Sequence, residues 1–328
     1  MTSSAQQGSQ LGPLNPGDVV SAALRLYKDR FKTFCQLAAM ATLWLVAGIF
    51  GMGLVIAILA GIGAGVGGEV GAVIGGLVGA LVGFLPLLYG FAKYYALSGV
   101  IGRLSFRELI SQPETALDAR RQVAPRLGQF LFLGFLLLLA YIAAYLGAAI
   151  LALIAGGSIG FLTAGILSAL INEAVGSVMG IFLGGLIGLG ILLVALIWVA
   201  SRLFIAEVVL AIEPQSDAGG SMSRSWELTK DSIVRIQVVF LATFLIQLPI
   251  LAVTNYIPSI LLELVPADDT VYGIAAVLSL VLSLVGSLVV LPLWQAVKGV
   301  LYYDLRSRRE GLDLALRHDD GLGLDEGM

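Results

Sequence analysis

The sequence predicts an all-α, polytopic membrane bundle of about six transmembrane helices, and three observations lead there. Hydrophobic residues make up 58% of the chain and charged residues 12%, about half the charged share of an ordinary soluble domain. Charge-free runs recur from Cys35 to Gly68, Val70 to about Lys93, Leu127 to Asn172, Ala174 to Ser201, Ile236 to Leu262 and Thr270 to Val297, each at least as long as the roughly 20 residues that one helical crossing needs. Glycines then recur every fourth residue in two sets within these runs, at Gly63, Gly67, Gly71, Gly75, Gly79 and Gly83, across the first and second runs, and at Gly176, Gly180, Gly184 and Gly188 in the fourth. On a helix that spacing places them on one nearly straight, bare stripe, across which two backbones can approach in lipid. A fainter stripe lies at Ala275, Ser279, Ser283 and Ser287.

In chain order, residues 1–16 are polar and without an apolar signal core, and are expected to be a disordered cytoplasmic tail. The membrane domain is expected over 17–311 and a second cytoplasmic tail over 312–328. Asn15, Pro16 and Asp18 signal a helix start. Val20, Leu24, Tyr27 and Phe31 follow at helical spacing among Arg25, Lys28, Arg30 and Lys32, the pattern of an amphipathic helix lying among headgroups. The first crossing turns within Gly61–Gly68. The run from Leu127 to Asn172 exceeds one crossing, so 156–172 is expected as a short half-inserted or exoplasmic piece.

All 19 basic residues fall before the first crossing, between the second and third, between the fourth and fifth, or after the sixth. The opposite connections carry only Glu69, Glu173, Glu263, Asp268 and Asp269. By the positive-inside rule both termini are expected in the cytoplasm. The pattern also repeats at intervals of about a hundred residues. A charged amphipathic lead-in (Arg25 to Phe34, Arg120 to Phe130, Trp226 to Ile236) enters through a bulky helix and returns through a stripe that begins at Gly71, Gly176 or Ala275. Three hairpins around a pseudo-threefold axis would gather the stripes together.

Gly17 to Tyr27 with its basic, phenylalanine-bearing continuation, Arg224-Ser225-Trp226-Glu227-Leu228-Thr229-Lys230, and Leu301-Tyr302-Tyr303-Asp304-Leu305-Arg306 running on to Gly311 together resemble bacterial six-helix proteins. These are grouped with the membrane domain attached to some glycerophosphoryl diester phosphodiesterases. The resemblance covers nearly the whole chain, and Ala124-Pro125-Arg126 with Arg202-Leu203-Phe204 looks most like cyanobacterial members. It implies a fold and no activity, because the catalytic domain that names the family has no counterpart here.

The residues themselves point away from chemistry. His318 is the single histidine, flanked by Arg317 and Asp319 in a polar segment, and reads as a solvated side chain. Cys35 is the single cysteine, so no internal disulfide forms. The tail carboxylates Asp319 and Asp320 lack ligand spacing, and no lysine closes the glycine runs as a phosphate loop requires. No catalytic residue, metal or other cofactor is therefore expected, and a net charge of -3 gives no reason to expect nucleic acid.

Candidate headgroup or partner contacts are Lys93, Arg202, Glu207, Arg224, Trp226, Lys298, Asp304 and Arg306, all at or beyond the ends of return helices or in the loop that leads to the fifth crossing. Tyr94, Tyr95, Tyr302 and Tyr303 fit an aromatic belt, which also allows the simpler reading of snorkelling anchors. Glu227 and Asp231 stand at mildly repulsive i+4 spacing, whereas Asp304–Arg308, Arg306–Glu310 and Arg309–Asp313 are attractive i+4 pairs. No ionisable residue falls at a midplane, which argues against an ion-coupled pump. The expectation is a non-catalytic scaffold, accessory subunit or lipid-organising element, with a transporter or channel for a small solute or lipid as the alternative. Its expected partners are membrane lipids, with other membrane-protein subunits as further candidates.

Overall fold

The structure is a computed structural model and describes residues 12–266 and 270–316. Asp268, Asp269, Arg317, His318, Asp319 and Asp320 lie outside the described residues, as do the first eleven. Among those described, every regular element is helical: ten α-helices up to Glu310 with one 3-10 turn and one π turn, and a further helical stretch at 312–316. Five helical stretches are long and apolar enough to cross a membrane.

The first of these, α2 (Phe31–Leu109), is a hairpin in itself. Its backbone leaves helical geometry only at Gly67 (φ -132°, ψ 19°) and Gly68 (φ 60°, ψ -140°), at the end of the expected turn. A left-handed φ with that ψ suits glycine alone. Gly68→Ala is expected to cost about 1–3 kcal/mol and Gly67→Ala, at negative φ, distinctly less. Thermal melting of the two variants side by side checks this.

Glycines let the two arms close. A Cβ on Gly63 would lie 2.0 Å from the carbonyl oxygen of Gly71, one on Gly75 2.1 Å from that of Leu59, and one on Gly90 2.4 Å from that of Trp44. Trp44 and Tyr89 meet edge to face across the same seam.

The second hairpin is α4 (Leu127–Leu170) with α5 (Glu173–Leu203), reached from α3 (Ala116–Val123) through a 3-10 turn at Ala124–Arg126. Here residues 156–170 are not a separate piece: they continue α4 as one helix from Leu127 to Leu170. Gly156 faces Gly184 and Gly188, and Gly160 faces Gly180, so the added length is used to extend the seam. The third hairpin is α8 (Ile233–Leu251), a π turn (Ala252–Tyr256) and α9 (Ile257–Glu263), returning as α10 (Thr270–Glu310). Its tightest approach is at Gly286, where a Cβ would sit 2.3 Å from Thr254 Oγ1. Ser283 and Thr254 both reach Asn255, at 2.8 and 2.9 Å, whereas Ser287 is exposed and bonds only back to Ser283.

The two glycine stripes therefore each close their own hairpin, the third hairpin closes at Gly286 with Ser283 the stripe member that bonds across it, and the stripes are not gathered on a common axis. The hairpins join at one end only. In their most apolar windows only 6% of α2 and of α10, and 22% of Ile233–Glu263, is buried. Far from the base, Phe50, Val66, Phe161 and Leu170 are more than 70% exposed. Apolar surface of that extent requires lipid as its solvent, and the chain is a multi-pass membrane protein.

The buried core sits at the shared base. The last turns of α2 and α10 pack there on α1 (Pro16–Asp29), the short α6 (Ala206–Ile212), buried along its whole length, and α7 (Ala218–Leu228). Two expectations change as a result. Val19, Val20, Ala23 and Leu26 of α1 are buried against protein, so α1 is a wall of the base, with Phe31 left exposed. Leu14 is clamped as well: its N–H donates to Asp304 Oδ1 at 2.8 Å and its carbonyl accepts from Arg235 and Arg308. The fold thus begins before residue 17. At the other end Gly311 (φ 63°) stops α10, so Arg309 pairs with Asp231 at 2.5 Å in place of the expected Asp313. The other two expected pairs, Asp304–Arg308 at 3.1 Å and Arg306–Glu310 at 2.8 Å, are present.

Candidate functional site

All three hairpins contribute to one cavity of about 520 Å³ just beyond the base. The second arm of α2 supplies Tyr94 and Tyr95, α4 supplies Leu137 and Tyr141, and the α5–α6 junction supplies Phe204 and Glu207. The third hairpin adds Leu251, Asn255 and the face of α10 from Gly286 to Lys298. Twelve residues separate those last two, which at 1.5 Å per residue puts about 18 Å of helix along the cavity.

Its polar groups are concentrated at the two ends. At the basal end Lys298 Nζ lies 2.5 Å from Glu207 Oε1, with Glu207 5% exposed. The same ammonium lies 5.1 Å from the centroid of the Phe204 ring. Phe204, Phe240 and Trp294 form an edge-to-face cluster behind it, and Trp294 Nε1 donates to Gln247 Oε1 at 2.6 Å. Gln295 Oε1 is buried with no partner beside this wall. At the far end stands Asn255, inside the π turn. Pro249 and Pro258 bracket that turn, and each lacks a backbone donor, which loosens the helical ladder and admits the wider turn. The result is a membrane cavity with a salt bridge at one end, a carboxamide at the other and tyrosines between. It has the donors, acceptors and apolar wall to hold an amphiphile with a polar head.

The structure brings Glu207 and Lys298 into this site and distributes the other candidate contacts among separate roles. Arg202 is wedged between Trp198 and Trp226, 5.5 and 4.9 Å from the ring centroids, and donates to the Trp226 carbonyl at 3.2 Å. Trp226 is 39% exposed and edge-on to Trp198, so part of its ring is spent on packing within the base. Arg224 bridges Glu213 at 3.3 Å and Glu310, and Arg306 holds Glu310 from the other side. Burial alone would lower the Arg224 pKa, but the Glu213 and Glu310 carboxylates outweigh it and raise it, so this strut stays charged at any ordinary pH. Tyr302 donates to Glu213 Oε1 at 2.6 Å, placing that tyrosine in the base and not in an aromatic belt. Asp304 is fully buried in the Leu14 clamp. Lys93 stands apart, 5.7 and 5.4 Å from the Trp44 and Tyr89 ring centroids.

Two arginines, Arg103 buried and Arg126 half-buried, carry structural weight that spacing gave no sign of. Arg103, 4% exposed, donates from Nε to Glu114 at 2.8 Å, from NH1 to the Ala211 carbonyl at 2.8 Å, and from NH2 to Gln122. Arg126 donates to the carbonyls of Leu210 at 2.6 Å, Glu213 at 3.1 Å and Ser216, satisfying the C-terminal end of α6. Their partners lie mostly 84 to 108 residues away, out of reach of any local pattern. The one available signal was Arg103 as a lone charge in the apolar stretch between Lys93 and Arg107. No family model matches the chain, and no curated protein or solved structure matches it.

Proposed function

We propose that the protein is a non-catalytic, lipid-organising membrane protein that holds an amphiphile in the cavity where its three hairpins meet. The observation that carries this reading is the Glu207–Lys298 pair set in the wall of a 520 Å³ cavity lined mostly by aromatic and aliphatic side chains, with Asn255, Ser287 and Gln295 as its uncharged polar groups. A lipid whose head carries both charges, or a ring of hydroxyls, exchanges hydrogen bonds with that pair while its chains lie along α10. The wide surfaces that the distal hairpin arms present to the bilayer support the same reading. In this proposal the base lies at the cytoplasmic face with both termini, since the basic residues gather there, and the membrane is a bacterial plasma or thylakoid membrane. The likeness in sequence to the membrane domain of the glycerophosphoryl diester phosphodiesterase group fits a role without chemistry.

Lipid analysis of the gently solubilised protein tests the proposal. Glu207→Gln combined with Lys298→Met removes both charges together, so neither is left buried alone. The double variant is expected to keep its fold and to retain about tenfold less co-purifying lipid. Full retention of the same lipids would remove the cavity as the site.

A second reading, transport of a small solute or lipid, is favoured by the length of the cavity and by the loosened ladder at Asn255. Flux through the protein in liposomes would favour it, and an impermeable reconstituted protein would leave lipid holding as the function.

A further inference from the structure

A second hollow, about 190 Å³, lies on another side of the base, between the two arms of α2 and helix α3. Lys93, Arg120 and Arg121 line it together with Trp44, and no carboxylate does. Among the described residues none of the three cations has an ion-pair partner within 4.0 Å. Lys93 has only the Trp44 and Tyr89 rings, and Arg120 only the Met40 sulfur at 3.9 Å. Most other cations of the base are held differently: Arg103, Arg224, Arg235, Lys298, Arg306, Arg308 and Arg309 meet acids, and Arg126 and Arg202 donate to backbone carbonyls. Three like charges that converge on one hollow repel one another until an anion enters. The other wall is apolar, formed by Ala96, Leu97, Val100 and Leu127, and Trp44, of a residue type that favours the boundary between headgroup and chain, is 40% exposed.

We propose that this hollow binds the phosphate of an anionic diacyl lipid, the three cations taking the phosphate and the apolar wall the start of a chain. A phosphate with no cationic group beside it in the headgroup is the chemistry recognised, since the choline of phosphatidylcholine would meet the three cations as a like charge, and the adjoining apolar wall with its tryptophan selects a lipid as the source over free phosphate. The site shares no residue with the central cavity and does not rest on the function proposed for it. Loss of lipid from one site leaves the other occupied.

The experiment titrates the full-length protein in detergent with phosphatidylglycerol and with phosphatidylcholine of the same chains, counting bound lipid by native mass spectrometry. Phosphatidylglycerol is expected to bind at least about tenfold more tightly. The triple variant Lys93→Gln, Arg120→Gln, Arg121→Gln is expected to weaken it on the order of 100-fold, at about fivefold for each cation near a membrane surface. A Lys28→Gln, Lys32→Gln variant removes two exposed cations of the same end and is expected to stay within about twofold. Should the triple variant melt early, Arg121→Gln, at an exposed position, carries the test with its own loss of about fivefold.

Equal binding of the two lipids would overturn the proposal. So would an unchanged triple variant, or an equal loss in the Lys28, Lys32 control, which would mean surface charge in general. An inorganic phosphate arm separates the sources. Displacement of phosphatidylglycerol by millimolar phosphate, with the same dependence on the three cations, would make the free anion the occupant and overturn the lipid assignment.

Discussion

Gly184→Leu is expected to prevent the second hairpin from closing, whereas Gly185→Leu, one residue further on, is expected to change almost nothing. At Gly184 a Cβ would already stand 2.5 Å from the carbonyl oxygen of Gly156 and 3.0 Å from the Cα of Gly160. Both are backbone atoms of the facing helix, so no rotamer change relieves the overlap. The helices must separate, which also opens the Gly156–Gly188 and Gly160–Gly180 approaches on either side. Overpacking of a core costs about 1–3 kcal/mol where side chains can adjust, and a rigid backbone seam is expected at or above the top of that range. For a chain of this size that corresponds to a melting temperature lower by roughly 5 °C. Gly185 has nothing within 4 Å of its Cβ position, so a leucine there meets lipid. Melting and size-exclusion profiles of the two variants provide the comparison. If they behave alike, the seam does not hold the hairpin.

The second large effect is expected at Asp304. Its carboxylate, fully buried, accepts from the Leu14 N–H at 2.8 Å, from Arg308 at 3.1 Å and from Arg235 at 3.2 Å. Asp304→Asn keeps the shape and deletes the charge, leaving two guanidinium groups face to face over the Leu14 carbonyl. Breaking one side of a buried pair costs about 3–5 kcal/mol. Arg235 and Arg308 are 20% and 32% exposed, so water screens part of the loss and about 3 kcal/mol is expected. Amide exchange reads the event locally. Protection at residues 14 and 19–26 is expected to fall with the melting temperature, because the clamp is what seats α1 on α8 and α10. Arg308→Gln, which leaves Arg235 in place, is expected to have a smaller effect. Unchanged protection at Leu14 in Asp304→Asn would show that the clamp is incidental.

These two sites differ in how far the sequence announces them. The four-residue rhythm of Gly176 to Gly188 is a local property, and helical geometry turns it into a stripe without any knowledge of neighbours. Asp304 also stands out locally, as a charge at the end of an apolar helix with Arg308 one turn on. Its connection to Leu14, 290 residues away, is silent in the sequence, which is why the polar segment before residue 17 reads as tail. The same limit hides Glu207 with Lys298 and Arg103 with Ala211. Gly311 shows the opposite case, where one left-handed glycine cancels an i+4 pair that spacing alone supports.

Composition, the lengths of the uncharged runs and the period of the small residues thus determine that this chain is all-helical, belongs in lipid and crosses it repeatedly, because each follows from the cost of burying charge or from helix geometry within a few turns. Tertiary structure alone decided that each glycine stripe seals its own hairpin and that the hairpins splay from a single base. It also decided which charges meet across that base and which three are left facing a hollow. Those outcomes depend on packing between segments about a hundred residues apart, and no periodicity along the chain encodes which of them will touch.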